Sequence, residues 1–205
     1  MSQIILDFGS GNTCKNDKEY ISKMYDELKK VDTGKHEIIV KWQLFEVAGE
    51  NIPLTKKSFD YAYEYGNELG YKVTASIFDK ESLDFLLKHE IPFVKIANNR
   101  MLDFLVRYIP KNIQLYISKS DKLFWQKERE NKEEFWCVSK YPADIKDYLL
   151  LPLEENCNIS DHTIDLTLFK KFNPKIIEWH YKLDDSAGLD AGEFARTPEQ
   201  LKEIL

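Results

Sequence analysis

Two stretches near the end of the chain, Asn158-Ile159-Ser160-Asp161-His162-Thr163 and Ile176-Ile177-Glu178-Trp179-His180-Tyr181, share one pattern. In each, a short apolar or β-branched run ends in a polar cluster with a histidine, and a turn or a new helical pattern follows. Proteins built from parallel strands and helices place their chemistry at such strand ends. The pattern predicts that His162 and His180 can share one divalent metal ion, with Ser160, Asp161 and Glu178 as supporting groups. Alternatively, each histidine is an ordinary hydrogen-bonded residue.

Apolar, β-rich runs recur at intervals of about 25 residues with helical patterns between them, which is typical of βαβ units. The predicted strands are Ile4–Phe8, Ile38–Trp42, Lys72–Ser76, Phe93–Ile96, Gln114–Ile117, Phe135–Val138, Asn158–Ser160 and Ile176–Trp179. The predicted helices are Asp17–Lys30, Lys57–Leu69, Lys80–His89, Asn99–Tyr108, Lys119–Glu130, Ala143–Leu149, Ile164–Phe172 and Thr197–Leu205. Eight such units predict an α/β fold, a compact (β/α)₈ TIM barrel, with residues 1–205 as one domain.

Composition narrows the classes of function. Hydrophobic residues make up 43% of the chain, which predicts a folded domain, and the net charge of −6 argues against a nucleic-acid partner. We find neither a signal peptide nor an apolar run long enough for a membrane helix, so we expect no membrane partner and a cytoplasmic location. The odd number and wide spacing of Cys14, Cys137 and Cys157 predict neither a disulfide framework nor a zinc ribbon.

If the barrel is right, side chains at the C-terminal ends of the strands converge on one pocket. Two of them, Lys41 and Lys95, are lysines, which are seldom buried without a partner. An anion such as a phosphate or a carboxylate between them would offset that cost. The alternative is that each lysine pairs with an interior carboxylate. The other side chains predicted at this edge are Asp7, Gln43, Ser76, Asn98, Ser118, Ser139 and Tyr141.

Six short segments, spread in order through nearly the whole chain, resemble one known family. They are Val40-Lys41-Trp42-Gln43-Leu44-Phe45, Ala75-Ser76-Ile77-Phe78-Asp79, Pro92-Phe93-Val94-Lys95-Ile96-Ala97, Cys137-Val138-Ser139-Lys140-Tyr141-Pro142-Ala143, Ser160-Asp161-His162-Thr163 and Glu178-Trp179-His180-Tyr181-Lys182-Leu183-Asp184. They resemble the N-acetylneuraminate (sialic acid) synthase family, whose catalytic domain is a (β/α)₈ barrel. No single segment is decisive, but six in series are specific.

The resemblance implies condensation of phosphoenolpyruvate with an N-acetylhexosamine-type aldehyde, such as N-acetylmannosamine, to a nine-carbon 2-keto acid and phosphate. It implies that His162 and His180 hold Mn²⁺ or Mg²⁺, which would polarise the aldehyde oxygen. Asp7 stands in the place of the family's glutamate as base or charge stabiliser. Gln43 and Asp190 would face the sugar. Phosphoenolpyruvate would contact Lys41, Lys95, Ser76, Ser118, Ser139, Ser160 and Tyr141, with Asn98 also assigned to substrate binding.

The chain also departs from the family pattern. Family members usually carry a further C-terminal domain that supplies an arginine to the sugar in a swapped dimer, whereas this sequence ends at Leu205. Asp7 is one methylene shorter than the usual glutamate, and Asn98 stands where serine is common. These departures leave open a homodimer, or a separate polypeptide that supplies the sugar-binding part.

Two other functions are therefore considered. One is a non-catalytic or regulatory barrel that has kept the metal and anion pocket but not turnover. The other is a related aldolase or lyase acting on a different aldehyde, in which an inward lysine could form a Schiff base.

Overall fold

Apolar, β-rich runs form eight parallel strands in the computed structural model, which describes residues 2–45, 51–121 and 129–205. The strands are β1 (Gln3–Gly9), β2 (Glu37–Leu44), β3 (Lys72–Ile77), β4 (Val94–Ile96), β5 (Leu115–Lys119), β6 (Lys132–Cys137), β7 (Ile159–Asp161) and β8 (Ile176–His180). Each strand pairs with its neighbours in the sequence, and β8 also pairs with β1. The predicted (β/α)₈ TIM barrel is thereby confirmed.

Helices connect the strands on the outside of the barrel. The α-helices are α1 (Gly11–Cys14), α2 (Lys18–Val31), α3 (Lys56–Glu68), α4 (Lys80–Leu86), α5 (Ile145–Tyr148), α6 (Thr167–Phe172) and α7 (Pro198–Leu201), and two 3₁₀ helices span Arg100–Tyr108 and Leu189–Ala191. In α2, Asp17 accepts a hydrogen bond from the backbone N–H of Tyr20 and caps the helix. None of the helices in the described ranges is both long enough and apolar enough to cross a membrane.

Several boundaries differ from the prediction. The helices predicted at 143–149, 164–172 and 197–205 are shorter than expected. Asp144 caps α5 by accepting from the N–H of Lys146, whereas α6 starts without a side-chain cap and α7 ends early, at Leu201. The segment predicted as a helix at 99–108 is a 3₁₀ helix. Strand β6 begins at Lys132, earlier than predicted, with Glu134 paired to Lys132 and Lys119. The helix predicted at 119–130 falls largely outside the described residues.

Successive side chains of each strand point alternately outward, under the helices, and inward, into the barrel. The outward residues pack under the helices, where Phe8, Tyr25, Trp42 and Tyr181 form an aromatic cluster. The inward residues form a separate apolar layer that fills the lower barrel, made of Ile5, Ile39, Phe93, Tyr116, Phe135 and Ile176. Two positions further along the same strands come Asp7, Lys41, Lys95, Ser118, Cys137 and Glu178. The apolar layer is thus the floor on which a polar cavity is built.

Candidate active site

A cavity of about 300 Å³ lies at the C-terminal end of the barrel, above this apolar floor. All eight strands or the loops that follow them contribute to its wall. The lining residues are Asp7, Lys41, Gln43, Ser76, Phe78, Lys95, Ala97, Asn98, Ser118, Cys137, Tyr141, Ser160, His162, Glu178, His180, Leu189 and Asp190. Every residue predicted for catalysis, substrate binding or metal binding, except Ser139, therefore lines this cavity, and Asp161, which was predicted as a supporting group, does not.

The side chain of Lys41 crosses the cavity floor and is fully paired. Its Nζ lies 2.6 Å from Asp7 Oδ2 and 3.1 Å from Glu178 Oε1, and it donates to Ser76 Oγ at 2.8 Å. Burial would lower the pKa of Lys41, but the two carboxylates outweigh burial and hold that pKa above its usual value. Lys41 is therefore a fixed positive charge.

Lys95 reaches the same carboxylate from the other side of the barrel. Its Nζ donates to Glu178 Oε2 and, at 2.8 Å, to Ser118 Oγ. Burial would raise the pKa of Glu178, but Lys95 and Lys41 outweigh it and hold the pKa well below its usual range. The two lysines and two carboxylates form one buried ionic network with two serine hydroxyls at its edges.

A second polar group lies next to this network, nearer to the mouth. Gln43 Nε2 donates to Asp7 Oδ2 at 3.0 Å and to Asp190 Oδ1 at 2.8 Å. His180 lies between the same carboxylates, with Nδ1 3.3 Å from Asp190 Oδ1 and Nε2 3.8 Å from Asp7 Oδ2. Burial would lower the pKa of His180, but Asp7 and Asp190 reverse that effect and the pKa is raised. Gln43 and His180 follow Lys41 and Glu178 by two positions on their strands, so these groups line the cavity above the floor.

The other histidine is held in a different way. His162 Nδ1 lies 2.7 Å from the backbone oxygen of Val138, which makes Nδ1 the protonated nitrogen and leaves Nε2 as the acceptor. Burial, assisted by nearby His180, lowers the pKa of His162 to about 3. The two imidazole rings have centroids 5.3 Å apart, and the rings of Tyr141 and Phe194 pack against both. The histidines thus meet at the cavity wall, one neutral and one facing carboxylates.

The donor set is of a type that a divalent transition-metal ion accepts, because imidazole nitrogen and carboxylate oxygen both suit Mn²⁺. His162 Nε2 has no hydrogen-bond partner among the described residues, and Asp190 lies beside His180. In the described part of the chain, however, no three His, Cys, Asp or Glu side chains are grouped closely enough to hold a metal. An ion at this place would have two protein imidazoles, and water or substrate oxygens would complete its coordination.

Two residues from the sequence motifs lie outside the cavity. Ser139 is exposed, because β6 ends at Cys137 and the alternation of inward side chains stops there. It accepts a hydrogen bond from Asn98 Nδ2 at 3.0 Å. Asp161 lies between Ser160 and His162, which line the cavity. Its side chain therefore points to the opposite face of the strand. Its carboxylate accepts from Trp179 Nε1 and from Thr163, and Arg196 Nη2 lies 3.6 Å away. Asp161 therefore joins the ends of β7 and β8 instead of holding a ligand.

Cys137 and Phe194 were absent from the predicted set of site residues, and Glu178 was predicted only as a supporting group of a metal ion. Glu178 precedes His180 by two positions on a strand, so period-two alternation alone places both side chains on one face. Cys137 follows Phe135 by the same rule. Phe194 lies on the segment after the 3₁₀ helix Leu189–Ala191, and no periodic pattern in the sequence indicates its contact with the histidines.

Gly9 leaves room for Asp190, and its substitution is a test of this packing. A Cβ at Gly9 would meet Thr13 Oγ1 first and would lie 2.8 Å from Asp190 Cβ, and the residue has a φ of +76°. We expect Gly9→Ala to lower the free energy of unfolding by at least about 2 kcal/mol more than Gly34→Ala, measured by urea denaturation. Gly34 is the matched control, because it has the same φ but nothing within 4 Å of the added Cβ. Equal losses in the two variants would show that Thr13 and Asp190 do not pack tightly against Gly9.

Stability should fall in acid because of His162. Its pKa is about 3 in the folded protein and near 6.5 when unfolded, so the unfolded chain binds more protons between these values and stability rises with pH across that window. We expect about 2–3 kcal/mol of the free energy of unfolding to be lost between pH 7 and pH 4.5 through this residue. Urea denaturation with a chelator present measures the effect as the difference between wild type and His162→Asn, in which other titrating groups cancel. Parallel pH dependences would contradict the prediction.

Comparison with known proteins supports the resemblance seen in the motifs. The chain is 27% identical over 178 residues to the N-acetylneuraminate-9-phosphate synthase of Drosophila melanogaster, a match that covers 76% of this chain and 48% of the relative. The chain thus spans about half the length of the curated relative it matches. No family model matches the chain. The similarity to sialic acid synthases that the motifs predicted is confirmed.

Solved structures share the fold. The N-acetylneuraminic acid synthetase of Leptospira borgpetersenii serovar Hardjo-bovis superimposes with a TM-score of 0.75 at 20% identity, covering 98% of this chain and 80% of that one. The spore coat polysaccharide biosynthesis protein spsE of Bacillus subtilis superimposes with a TM-score of 0.76 at 18% identity, covering 98% and 65%. At these identities the matches establish the barrel architecture for nearly the whole chain.

Proposed function

We propose that the chain is a synthase that condenses phosphoenolpyruvate with an N-acetylhexosamine-type aldehyde, N-acetylmannosamine-like, to a sialic-acid-like 2-keto sugar acid. The observation that carries the proposal is the pair of buried lysines from β2 and β4, which meet at the floor of one cavity with serine hydroxyls beside them. Two inward ammonium groups suit the phosphate and carboxylate of one small acid. The similarity to a sialic acid synthase supports a sugar-acid synthase over other enzymes that bind a small anion.

Phosphoenolpyruvate is proposed to lie over the floor, with its anionic groups on Lys41 and Lys95. Ser76 and Ser118 lie within hydrogen-bond distance of these lysines, and Ser160 lines the same wall. Because the floor below is an apolar layer, water reaches this acid from the mouth alone. The lysines would therefore act on the anion with little screening by solvent.

The acceptor aldehyde is proposed to enter above, against Gln43, Asp190 and His180, with Asn98 and Tyr141 at the rim. The enol carbon attacks the aldehyde carbon, a carbon–carbon bond forms, and the aldehyde oxygen takes up a proton. Positive charge develops at the pyruvyl carbon, where the Asp7 carboxylate is placed to stabilise it or to accept a proton from water. Water adds at that carbon and the carbon–oxygen bond to phosphate breaks.

A divalent metal ion, Mn²⁺ or Mg²⁺, remains part of the proposal, with His162 and His180 as its protein ligands. When bound, such an ion would polarise the aldehyde oxygen. Binding of Mn²⁺ by the resting protein, followed by calorimetry and compared with His162→Ala, tests the assignment without turnover. Binding that is unchanged in the variant would remove His162 from the set of ligands.

The function is tested with purified protein, Mn²⁺, phosphoenolpyruvate and a panel of hexosamines, with phosphate release and product mass as readouts. Release of phosphate that depends on an N-acetylated hexosamine, with a product mass equal to a 2-keto sugar acid, is the expected result. Wild-type protein that binds phosphoenolpyruvate but releases no phosphate with any acceptor would favour the regulatory barrel. In that case a second copy or a separate sugar-binding chain would be added to the assay.

The lyase alternative is disfavoured by the pairing of the lysines. A Schiff base needs a neutral amine, and the pKa of Lys41 is held above its usual value after Asp7 and Glu178 overcome burial. Lys95 is likewise bound to Glu178. Borohydride treatment in the presence of pyruvate is expected to leave the mass of the protein unchanged.

A further inference from the structure

Glu178 occupies the place between the two lysines where an anion would bind. One carboxylate oxygen lies 3.1 Å from Lys41 Nζ, and the other accepts from Lys95 Nζ. Its side chain is 5% exposed, and those of the lysines are 2% and 3% exposed. Two oxygens of one anionic group, each on a different ammonium, are the arrangement expected of a bound carboxylate or phosphate. Here the protein itself supplies that group.

The charges in the floor are already balanced. Lys41 also contacts Asp7 at 2.6 Å, so two ammonium groups face two carboxylates in one network. A phosphate placed on the lysines as they stand would meet the Glu178 carboxylate at the same donors. Like charges a few ångströms apart in a site sheltered from water repel strongly. The lysines cannot hold both anions in this arrangement.

We infer that Glu178 is a placeholder for the substrate anion, whose carboxylate must leave at least one of the two lysines when phosphate or phosphoenolpyruvate binds. The inference rests on the proposed function for the identity of the anion. The placeholder keeps two buried ammonium groups paired while the cavity is without ligand, which avoids the cost of unpaired buried charges. It also weakens anion binding, because every ligand competes with an internal carboxylate. Glu178 thereby sets the affinity of the site and is a positioning residue for both lysines.

The test is a binding measurement that needs no turnover. Calorimetry with inorganic phosphate and with phosphoenolpyruvate compares wild type with Glu178→Gln, which keeps the size of the side chain and removes its charge. We expect the Kd of both anions to fall at least tenfold in Glu178→Gln. The matched control is Glu133→Gln, which removes a carboxylate from a half-exposed ion pair with Lys175 on the wall of the same barrel and should leave both Kd values unchanged.

Two further variants keep the result decisive. The aspartate side chain in Glu178→Asp is shorter and cannot reach both lysines, so we expect this variant to bind phosphate more tightly than wild type. If circular dichroism shows that Glu178→Gln does not fold, the result with Glu178→Asp is used instead. Adding Lys95→Met to Glu178→Gln should abolish the gain. A Kd for phosphate that stays equal or rises in the folded Glu178 variants overturns the inference.

The outcomes for the inference and for the proposed function are separable. If wild type converts phosphoenolpyruvate but the Glu178 variants bind phosphate no more tightly, the placeholder alone is wrong. If the variants bind more tightly and no acceptor supports phosphate release by wild type, the placeholder is upheld and the synthase fails. If neither anion binds to wild type or to any variant, both are wrong.

Discussion

Replacement of Lys95 by methionine is expected to lower kcat/KM for phosphoenolpyruvate by about 10³-fold, the loss that follows removal of one buried group that stabilises charge in a transition state. Methionine fills the space of the lysine stem without a charge. Lys95 is buried, and its Nζ contacts both Glu178 and Ser118 at the floor of the cavity. Without it, the leaving phosphate and the pyruvyl carboxylate would have one cation instead of two. Steady-state phosphate release at varied phosphoenolpyruvate measures the effect.

The control for this prediction is Lys72→Met at the opposite end of the barrel. Lys72 forms a 2.8 Å ion pair with Glu37, but its side chain is 62% exposed and far from the cavity floor. Exposed pairs of this kind contribute about 0–1 kcal/mol, so neither stability nor kcat/KM should change measurably. A folded Lys95→Met protein that keeps wild-type kcat/KM would exclude Lys95 from the proposed reaction.

Replacement of Asp161 by alanine is expected to lower the free energy of unfolding by about 3–5 kcal/mol. The carboxylate has no exposed surface, and it accepts from Trp179 Nε1 at 2.8 Å and from Thr163. Burial raises the pKa of Asp161 even though Arg196 lies close by. Alanine would leave the guanidinium of Arg196, itself 1% exposed, without its carboxylate. Urea denaturation followed by circular dichroism gives the difference.

Asp185→Ala is the comparison for Asp161→Ala. Asp185 also faces cations, Lys15 at 3.2 Å and Lys23 at 3.6 Å, but its side chain is 55% exposed. Solvent screens such pairs, so the loss should be much smaller than that of Asp161→Ala. Similar losses in the two variants would mean that the Asp161 network contributes no more than a surface ion pair.

The strands could be predicted from sequence because strands of a parallel sheet that are buried on both faces read as near-continuous apolar, β-rich runs. Ile5 and Asp7, or Ile39 and Lys41, each show an apolar position followed by a polar one on the same face. Helix lengths were harder to predict than strand positions. The last turns depend on capping and on local hydrogen bonds, which the periodicity of apolar residues does not indicate. The end of α7, at Leu201 instead of the predicted Leu205, is an example.

The candidate site was predictable as a set of strand ends, but its internal pairing was not. Alternation indicates that Lys41, Lys95 and Glu178 share the interior, and nothing in it says which charges meet. The alternative that each inward lysine pairs with an interior carboxylate describes the structure without ligand, with Glu178 shared by both lysines. Ser139 was assigned as a side chain at the end of the sixth strand, and only the end of β6 at Cys137 shows that it lies outside the cavity.

The pairing of β1 with β8 places Asp7 directly opposite His180 in the register of the sheet. These two residues come from the first and the last strand, so they become neighbours only when the ring closes. Contacts between such distant parts of a chain form slowly during folding. After dilution from denaturant, the binding of anion and acceptor should therefore recover later than the helical circular dichroism signal. The length of this delay reports how fast the two ends of the sheet join.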